Sequence, residues 1–183
     1  MSERRYQDLS QFRLSPQFRG RSAWLVQLWW IVQDTLFRCS PQALFGWRAF
    51  LLRLFGAKLG KNVRLRSTVR VTYPWKLTVG DNVWVGDDCV LYDLAEIILG
   101  SDVASAHDVY LCTGSHDYSR VDFPIQALPI TIQDEVWITN QVFVGPGVTI
   151  GAGAVVGTRS TVLRSLPGGM VCYGSPAKPI KER

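Results

Sequence analysis

The feature that most constrains this 183-residue chain is a six-residue rhythm running through its second half and beyond. From Leu59, aliphatic residues recur at Leu65, Val71 and Leu77. A two-residue slip resets the phase to Val79, Val85, Leu91 and Ile97, and another gives Leu99, Ser105 and Leu111. After an interruption the register returns as Ile132, Ile138, Val144, Ile150, Val156 and Val162. Four residues after many of these stands a compact or β-branched side chain, as at Val63, Val83, Cys89, Ala95, Val142, Ala154 and Ser160. Glycine often follows the aliphatic directly, as in Leu59-Gly60, Val85-Gly86 and Val144-Gly145.

Six residues make one flat face of a triangular coil, so three hexads make a turn. The aliphatic side chain then points into a narrow prism, and the second inward position must be small enough to fit near a corner. Gly and Asn tolerate the positive φ that corners demand. Stacked coils pair as parallel strands around one continuous apolar column. Gly-rich hexads break a 3.6-residue period, which excludes helix, and a β-sandwich has no reason to hold a six-residue phase for so long. The string Gly151 to Gly157 has the wrong spacing for a dinucleotide fingerprint and lacks a βαβ setting. The expected fold is therefore mostly β: a parallel β-helix over residues 59–167 with a loop at about 114–130, an N-terminal tail with apolar helices over 1–58, and a C-terminal tail over 168–183.

A formal charge of +5 favours anionic partners: a nucleotide-like cofactor, an acidic glycan or an anionic membrane. No nucleic-acid-binding motif accompanies it, so nucleic acid is not an expected partner. The four cysteines form no CxxC pair, against a disulfide framework or a Cys-rich zinc site. Met1 to Gln11 is polar, and no small-residue cleavage site follows an apolar run, so a cytoplasmic protein is expected. The longest apolar stretch, Ala23 to Val32, is too short to span a bilayer.

That stretch reads as a helix with Ser22 as N-cap, apolar over most of its circumference, with Gln27 and Asp34 as a narrow polar strip. A second apolar helix follows Pro41 and stops near Gly56, carrying Arg48 and Arg53 among its aromatic and aliphatic residues. Two readings are open and compatible. The helices cap the open end of the solenoid or pack on a neighbouring subunit, or their tryptophans and arginines lie at a membrane surface.

The interruption between Leu111 and Ile132 is where chemistry is expected, because long loops in compact repeats tend to carry function. It contains His116, one of two histidines; the other, His107, falls within a hexad at an outward position. Histidine is the usual base for moving an acyl group at neutral pH.

An ordered set of motifs completes the reading: Thr113-Gly-Ser-His116-Asp, Pro129-Ile-Thr-Ile-Gln-Asp-Glu-Val-Trp137-Ile, Gly145-Pro-Gly147-Val-Thr-Ile-Gly-Ala-Gly-Ala-Val-Val, and Gly174-Ser-Pro-Ala-Lys178. The set resembles the sugar O-acetyltransferases of the hexapeptide-repeat family, among them the maltose, galactoside and nodulation-factor enzymes. The string Leu111-Cys-Thr-Gly-Ser-His-Asp and the block Gly46-Trp-Arg with Leu51-Leu-Arg-Leu-Phe-Gly-Ala-Lys58 resemble more closely the exopolysaccharide acetyltransferases of the colanic acid type. The likeness implies a left-handed coil, a homotrimer with sites built from two chains, and acetyl-CoA as co-substrate without a metal. The implied reaction is direct transfer to a hydroxyl of a sugar or glycan intermediate, one that a lipid carrier could bear, with His116 as general base.

The same resemblance places Asp93, where the family often has Asn, to orient the acceptor or His116, and Asp117 to orient His116 or cap its turn. Trp137 matches the tryptophan beside the pantetheine arm, and the main chain around Asn140 and Thr158 matches the cofactor groove. Arg164, Lys178 and Lys181 match basic positions that meet the CoA phosphates. Thr139-Asn140-Gln141 departs from the small residues usual beside Trp-Ile and is expected to narrow the groove. A bare scaffold would leave the loop and Trp137 unexplained. A carbonic anhydrase of this fold needs three histidines, and a nucleotidyltransferase needs a further domain.

Overall fold

The computed structural model describes residues 5–15 and 17–183; the first four residues of the expected N-terminal tail lie outside that set. The hexads form a parallel β-solenoid with three faces. The first carries strands Lys58–Leu59, Leu77–Val79, Ile97–Leu99, Ile130–Ile132 and Thr149–Ile150. The second runs from Arg64–Leu65 through Trp84–Val85, Ala104–Ser105, Trp137–Ile138 and Val155–Val156 to Met170–Gly174. The third stacks Arg70–Val71, Val90–Tyr92, Tyr110–Cys112, Phe143–Val144 and Thr161–Val162. Neighbours within each stack are parallel, and the inward column is closed to solvent, from Leu65 and Val71 through Ile97, Ile132, Ile138 and Val144 to Val162.

The register explains the slips. Thr78 pairs with Lys58 before it and Ile98 after it, so the early turns take two residues more than three hexads. Those residues widen the edge between the third and first faces. Ala95, expected to point inward, falls in this widened edge and is half-exposed, while Leu94 packs with Val26 and Tyr73 in a separate small cluster.

The glycines after the aliphatic positions have a different task from the expected one. Positive φ falls two residues later, on Asn62, Asn82, Asp102 and Asp88 among others. Gly86 is glycine because a Cβ there would stand 2.3 Å from the Ala106 carbonyl oxygen of the next coil. The close approach of stacked backbones sets that residue, rather than a left-handed turn.

Helix α1, Ala23–Val32, starts where Ser22 Oγ accepts the Leu25 amide, and continues into a π-helical turn, Gln33–Phe37. Helix α2 spans Phe45–Leu54. Their inner residues Trp29, Phe37, Leu51, Leu52 and Phe55 join the solenoid core. They also satisfy the backbone at the open edge of every face. Arg53 donates to Leu59 O and Gly60 O on the first face, and buried Arg48 donates to Leu65 O on the second, at 2.7 Å. On the third, Trp29 Nε1 donates to Val71 O at 2.8 Å while Gln33 Oε1 accepts the Val71 amide. An uncovered sheet edge invites pairing with another chain, and here helix side chains close it. Gln33 therefore belongs to the buried stripe, although the sequence shows it as one more polar residue at the helix end. Among the described residues no helix is long and apolar enough to cross a membrane.

Candidate active site

The interruption in the hexads is a β-hairpin rather than an open loop. It leaves the edge between the third and first faces at the third turn, with Gly114–His116 paired antiparallel to Ile125–Ala127. Buried Thr113 anchors its base, its hydroxyl donating to Tyr92 O and accepting the Ala95 amide. At the tip the Asp117 amide donates to Pro124 O. The N-terminal tail docks alongside, where the buried Asp8 donates its amide to Val121 O, and Phe12 reaches within 6.0 Å of the His116 ring.

His116 is half-buried and held on two sides. Its ring stacks on Phe123 at 4.2 Å and 9°, and its Nδ1 lies 2.9 Å from the Phe123 carbonyl oxygen. A carbonyl only accepts, so this contact assigns the hydrogen to Nδ1 and leaves the lone pair on Nε2. Phe123 supplies both contacts from a left-handed backbone with φ of 47°, a conformation that bulky residues rarely hold. Sequence reasoning missed Phe123; the only available signal was an aromatic before Pro124, seven residues beyond His116.

The hydrogen bonds of the two carboxylates assigned from the sequence run away from the His116 ring. Asp117 Oδ1 accepts the Ser119 amide and hydroxyl at 3.0 and 2.5 Å, and these bonds hold its carboxyl below the usual range. Both of these bonds lie within the turn that follows His116. Asp93 sits in the third-to-first edge one turn earlier and is wholly closed to solvent. Its Oδ1 accepts the Tyr73 amide at 2.7 Å, Oδ2 has no hydrogen-bond partner among the described residues, and burial pushes the carboxyl up to about 8. The Lys76 ammonium is close enough to act on that charge, yet donates to the carbonyls of Phe18 and Leu94. No hydrogen bond joins Asp93 to His116 in this chain among the described residues.

The residues expected to meet a cofactor lie on another part of the prism. Trp137 stands half-exposed on the outer side of the second face, with Ala104 as its neighbour in the preceding coil and Trp84 one coil further. Asn140 and Thr158 turn the edge between the second and third faces. Asn140 Oδ1 accepts the His107 amide at 3.2 Å, and Thr139 Oγ1 donates to Val156 O and meets the Thr158 hydroxyl at 3.2 Å. They line an open cavity of about 580 Å³ with Asp88, His107, Asp108, Gln141 and Arg159. His107 also lines a second cavity of about 300 Å³ toward the helical end, whose walls include Phe45, Arg64, Arg66 and Trp84. Toward the other end, Arg164 and Lys178 share a cavity of about 320 Å³ with Leu163, Pro176 and Ala177. Lys181 is on the returning strand Ala177–Glu182, opposite Val171, and does not line it. Among the described residues no cluster of three or more His, Cys, Asp or Glu could hold a metal ion.

One chain thus carries His116 on one edge and Trp137, Asn140 and Thr158 around another, with the third face between them. Over 177 residues, and 97% of both chains, it is 58% identical to the Escherichia coli K12 protein named for colanic acid biosynthesis acetyltransferase WcaF. The chain belongs to the hexapeptide-repeat acetyltransferases. Within that family it is 30% identical to the galactoside O-acetyltransferase of Escherichia coli K12 over 138 residues, 74% of this chain and 68% of that one. A Vibrio cholerae hexapeptide-repeat acetyltransferase solved with acetyl-CoA superposes with a TM-score of 0.78 at 26% identity, covering 89% of this chain and 91% of that one. No family model matches the chain. The parallel β-solenoid with two helices near the N-terminus is the fold of these hexapeptide-repeat acetyltransferases.

Proposed function

We propose that this acetyltransferase moves the acetyl group of acetyl-CoA to a hydroxyl of a sugar or glycan intermediate in exopolysaccharide or capsule synthesis, in the cytoplasm. The observation that carries the reading is the fixed tautomer of His116. With Nδ1 committed to the Phe123 carbonyl, Nε2 is free to accept a proton. In the proposed step Nε2 takes the proton of the acceptor hydroxyl as its oxygen attacks the thioester carbonyl. The new C–O bond forms, the C–S bond breaks, and the departing thiolate recovers the proton from the imidazolium. No acyl-enzyme and no metal is required. Phe123 is a positioning residue, since it acts only through the ring it stacks on.

The separation of the two edges supports a homotrimer. If His116 of one copy faces the second-to-third edge of its neighbour at the same coil level, it meets the cavities that His107 joins. In this reading the pantetheine arm runs past Trp137, Asn140 and Thr158 toward the C-terminal coils. The cofactor phosphates meet Arg164 and Lys178, with Lys181 contributing from the outer strand. The acceptor sits toward the helical end, where Arg64, stacked over Trp84, offers positive charge, while Arg66 is held in an ion pair with Asp87 at 2.8 Å. Asp117 supports the hairpin, and Asp93 shapes the edge beneath the acceptor.

The test is free-thiol release from acetyl-CoA against a panel of sugars and glycan intermediates, comparing the native protein with His116→Ala. Turnover is expected to fall about a hundredfold or more in the variant with acetyl-CoA affinity unchanged. A variant that keeps native turnover removes His116 from the chemistry.

A further inference from the structure

The inner faces of the two helices close the solenoid; their outer faces are exposed in the single chain, among the described residues. On α1 the stripe Trp24, Leu28 and Ile31 points away from the buried Val26 and Trp29, and Trp24 is 86% exposed. On α2 the stripe Trp47, Phe50 and Leu54 points away from Arg48, Leu51 and Leu52. The turn that follows α1 links directly onto the α2 stripe. Trp47 stacks on Phe50 and donates its indole N–H to Leu36 O, and Leu36, Leu44 and Trp47 share an apolar hollow of about 420 Å³ with Pro41. Isolated exposed apolar side chains are ordinary, but a contiguous patch of this kind marks an interaction site.

Charge says what covers it. Of the 20 Lys and Arg, 12 lie between Leu9 and Gly80, against one acidic residue, Asp34, of the chain's 15. The remaining sequence is net acidic, so the positive balance of the whole protein comes from its helical end. Arg21, Arg38, Arg53, Lys58 and Lys61 are exposed there. Exposed tryptophan and leucine on short helices with a basic surround is the composition of an element that lies in a lipid–water interface, with aromatics at headgroup depth and cations against anionic headgroups. A second copy of this chain would bring the same positive charge against itself.

We infer that the outer faces of α1 and α2 form a docking surface for an anionic phospholipid membrane, so that the solenoid stands with its helical end on the bilayer. The inference rests on the cap and its charge, not on the acetyl-transfer reading, and the two fail separately. Phe45 of α2 lines the cavity that holds Arg64, Arg66 and Trp84. A membrane at this end therefore lies next to the proposed acceptor pocket, where a lipid-borne glycan presents its sugar.

The experiment is sedimentation of the full-length protein with vesicles of phosphatidylcholine alone, or with about one-third phosphatidylglycerol. Binding to the anionic vesicles is expected at low salt, falling as salt is raised, with little binding to phosphatidylcholine alone. The variant carrying Trp24→Glu, Leu28→Glu and Leu54→Glu is expected to lose at least about tenfold in vesicle affinity, with its thermal midpoint and soluble acetyl-CoA turnover unchanged. Absence of binding to anionic vesicles, or binding that survives the three substitutions, overturns the inference. So does light scattering that shows native assemblies pairing and the variant separating them, since a second copy then covers the face.

Discussion

The second-to-third edge and the third-to-first edge of this prism carry different kinds of backbone. At the first, the chain turns within a few residues in coil after coil, with Asp88, Asp108, Gln141 and Arg159 each at positive φ. At the second it is spacious: a short 3-10 turn, Pro74–Lys76, in one coil, the corner of Asp93 in the next, and the His116 hairpin in the third. The tight edge repeats the same geometry and suits a long, extended ligand lying along the axis. The loose edge accepts insertions without disturbing the inward column, and that is where the histidine stands. A proton acceptor needs a local, individually shaped setting, and a strict repeat cannot supply one.

Glycine substitutions break this comparison most visibly. In Gly86→Ala at the tight edge, the new Cβ meets the Ala106 carbonyl of the next coil at 2.3 Å, and these close atoms are hydrogen-bonded backbone with little room to yield. In Gly145→Ala, on the third-to-first side in the coil after the hairpin, the nearest neighbour of the new Cβ is the Leu163 side chain at 3.3 Å, which can shift. Denaturant unfolding is expected to show a loss of about 3 kcal/mol or more for the first and under about 1 kcal/mol for the second. Equal losses would mean that the two edges are equally intolerant.

Asp93 sharpens the comparison on the loose side. Burial raises its carboxyl from the ordinary carboxylate range to about 8 in the fold. Its contribution to stability is therefore fully present at low pH. Between about pH 4 and pH 8 the unfolded chain gains by ionising while the folded chain holds the proton, so stability drains away across that window. Asn carries no such penalty. The thermal midpoint of Asp93→Asn is expected to gain on the native protein steadily from pH 5 to pH 8 and to level off above it. Parallel midpoints across that range would show that Asp93 ionises freely in the fold, with Lys76 compensating its charge.

Most of the solenoid was legible because the six-residue phase is a direct imprint of a narrow prism. Leu65, Val71, Ile138 and Val144 could not alternate in that way in any ordinary sheet. The helices were legible too, from Ser22 and the apolar runs. How they close the coil was not, because the partners of Arg48, Gln33 and Trp29 are backbone atoms of Leu65 and Val71, and backbone partners leave no pattern in side-chain identity. Gly147 and Gly153 do hold the positive φ expected of corners, whereas the glycines directly after the aliphatics, such as Gly86, serve close approach; the two kinds look alike in a sequence. At the candidate site, His116 stood out through its position in the interruption, while Phe123 did not. Its role depends on a hairpin register that no periodicity announces. The burial of Asp93 was equally hidden, since it follows from two extra residues in one corner.

The central claim is that a complete site needs His116 from one copy and the Trp137–Asn140–Thr158 groove from another, because one chain holds them on separate edges. The most direct test mixes two inactive variants. His116→Ala keeps the groove, and Thr158→Trp fills the groove from an exposed position while keeping His116. Co-assembled in equal amounts, the pair is predicted to recover about one quarter of native acetyl-CoA turnover, the statistical fraction of neighbouring pairs with both halves intact. A mixture as inactive as its parents would place the whole site within a single chain and contradict the account.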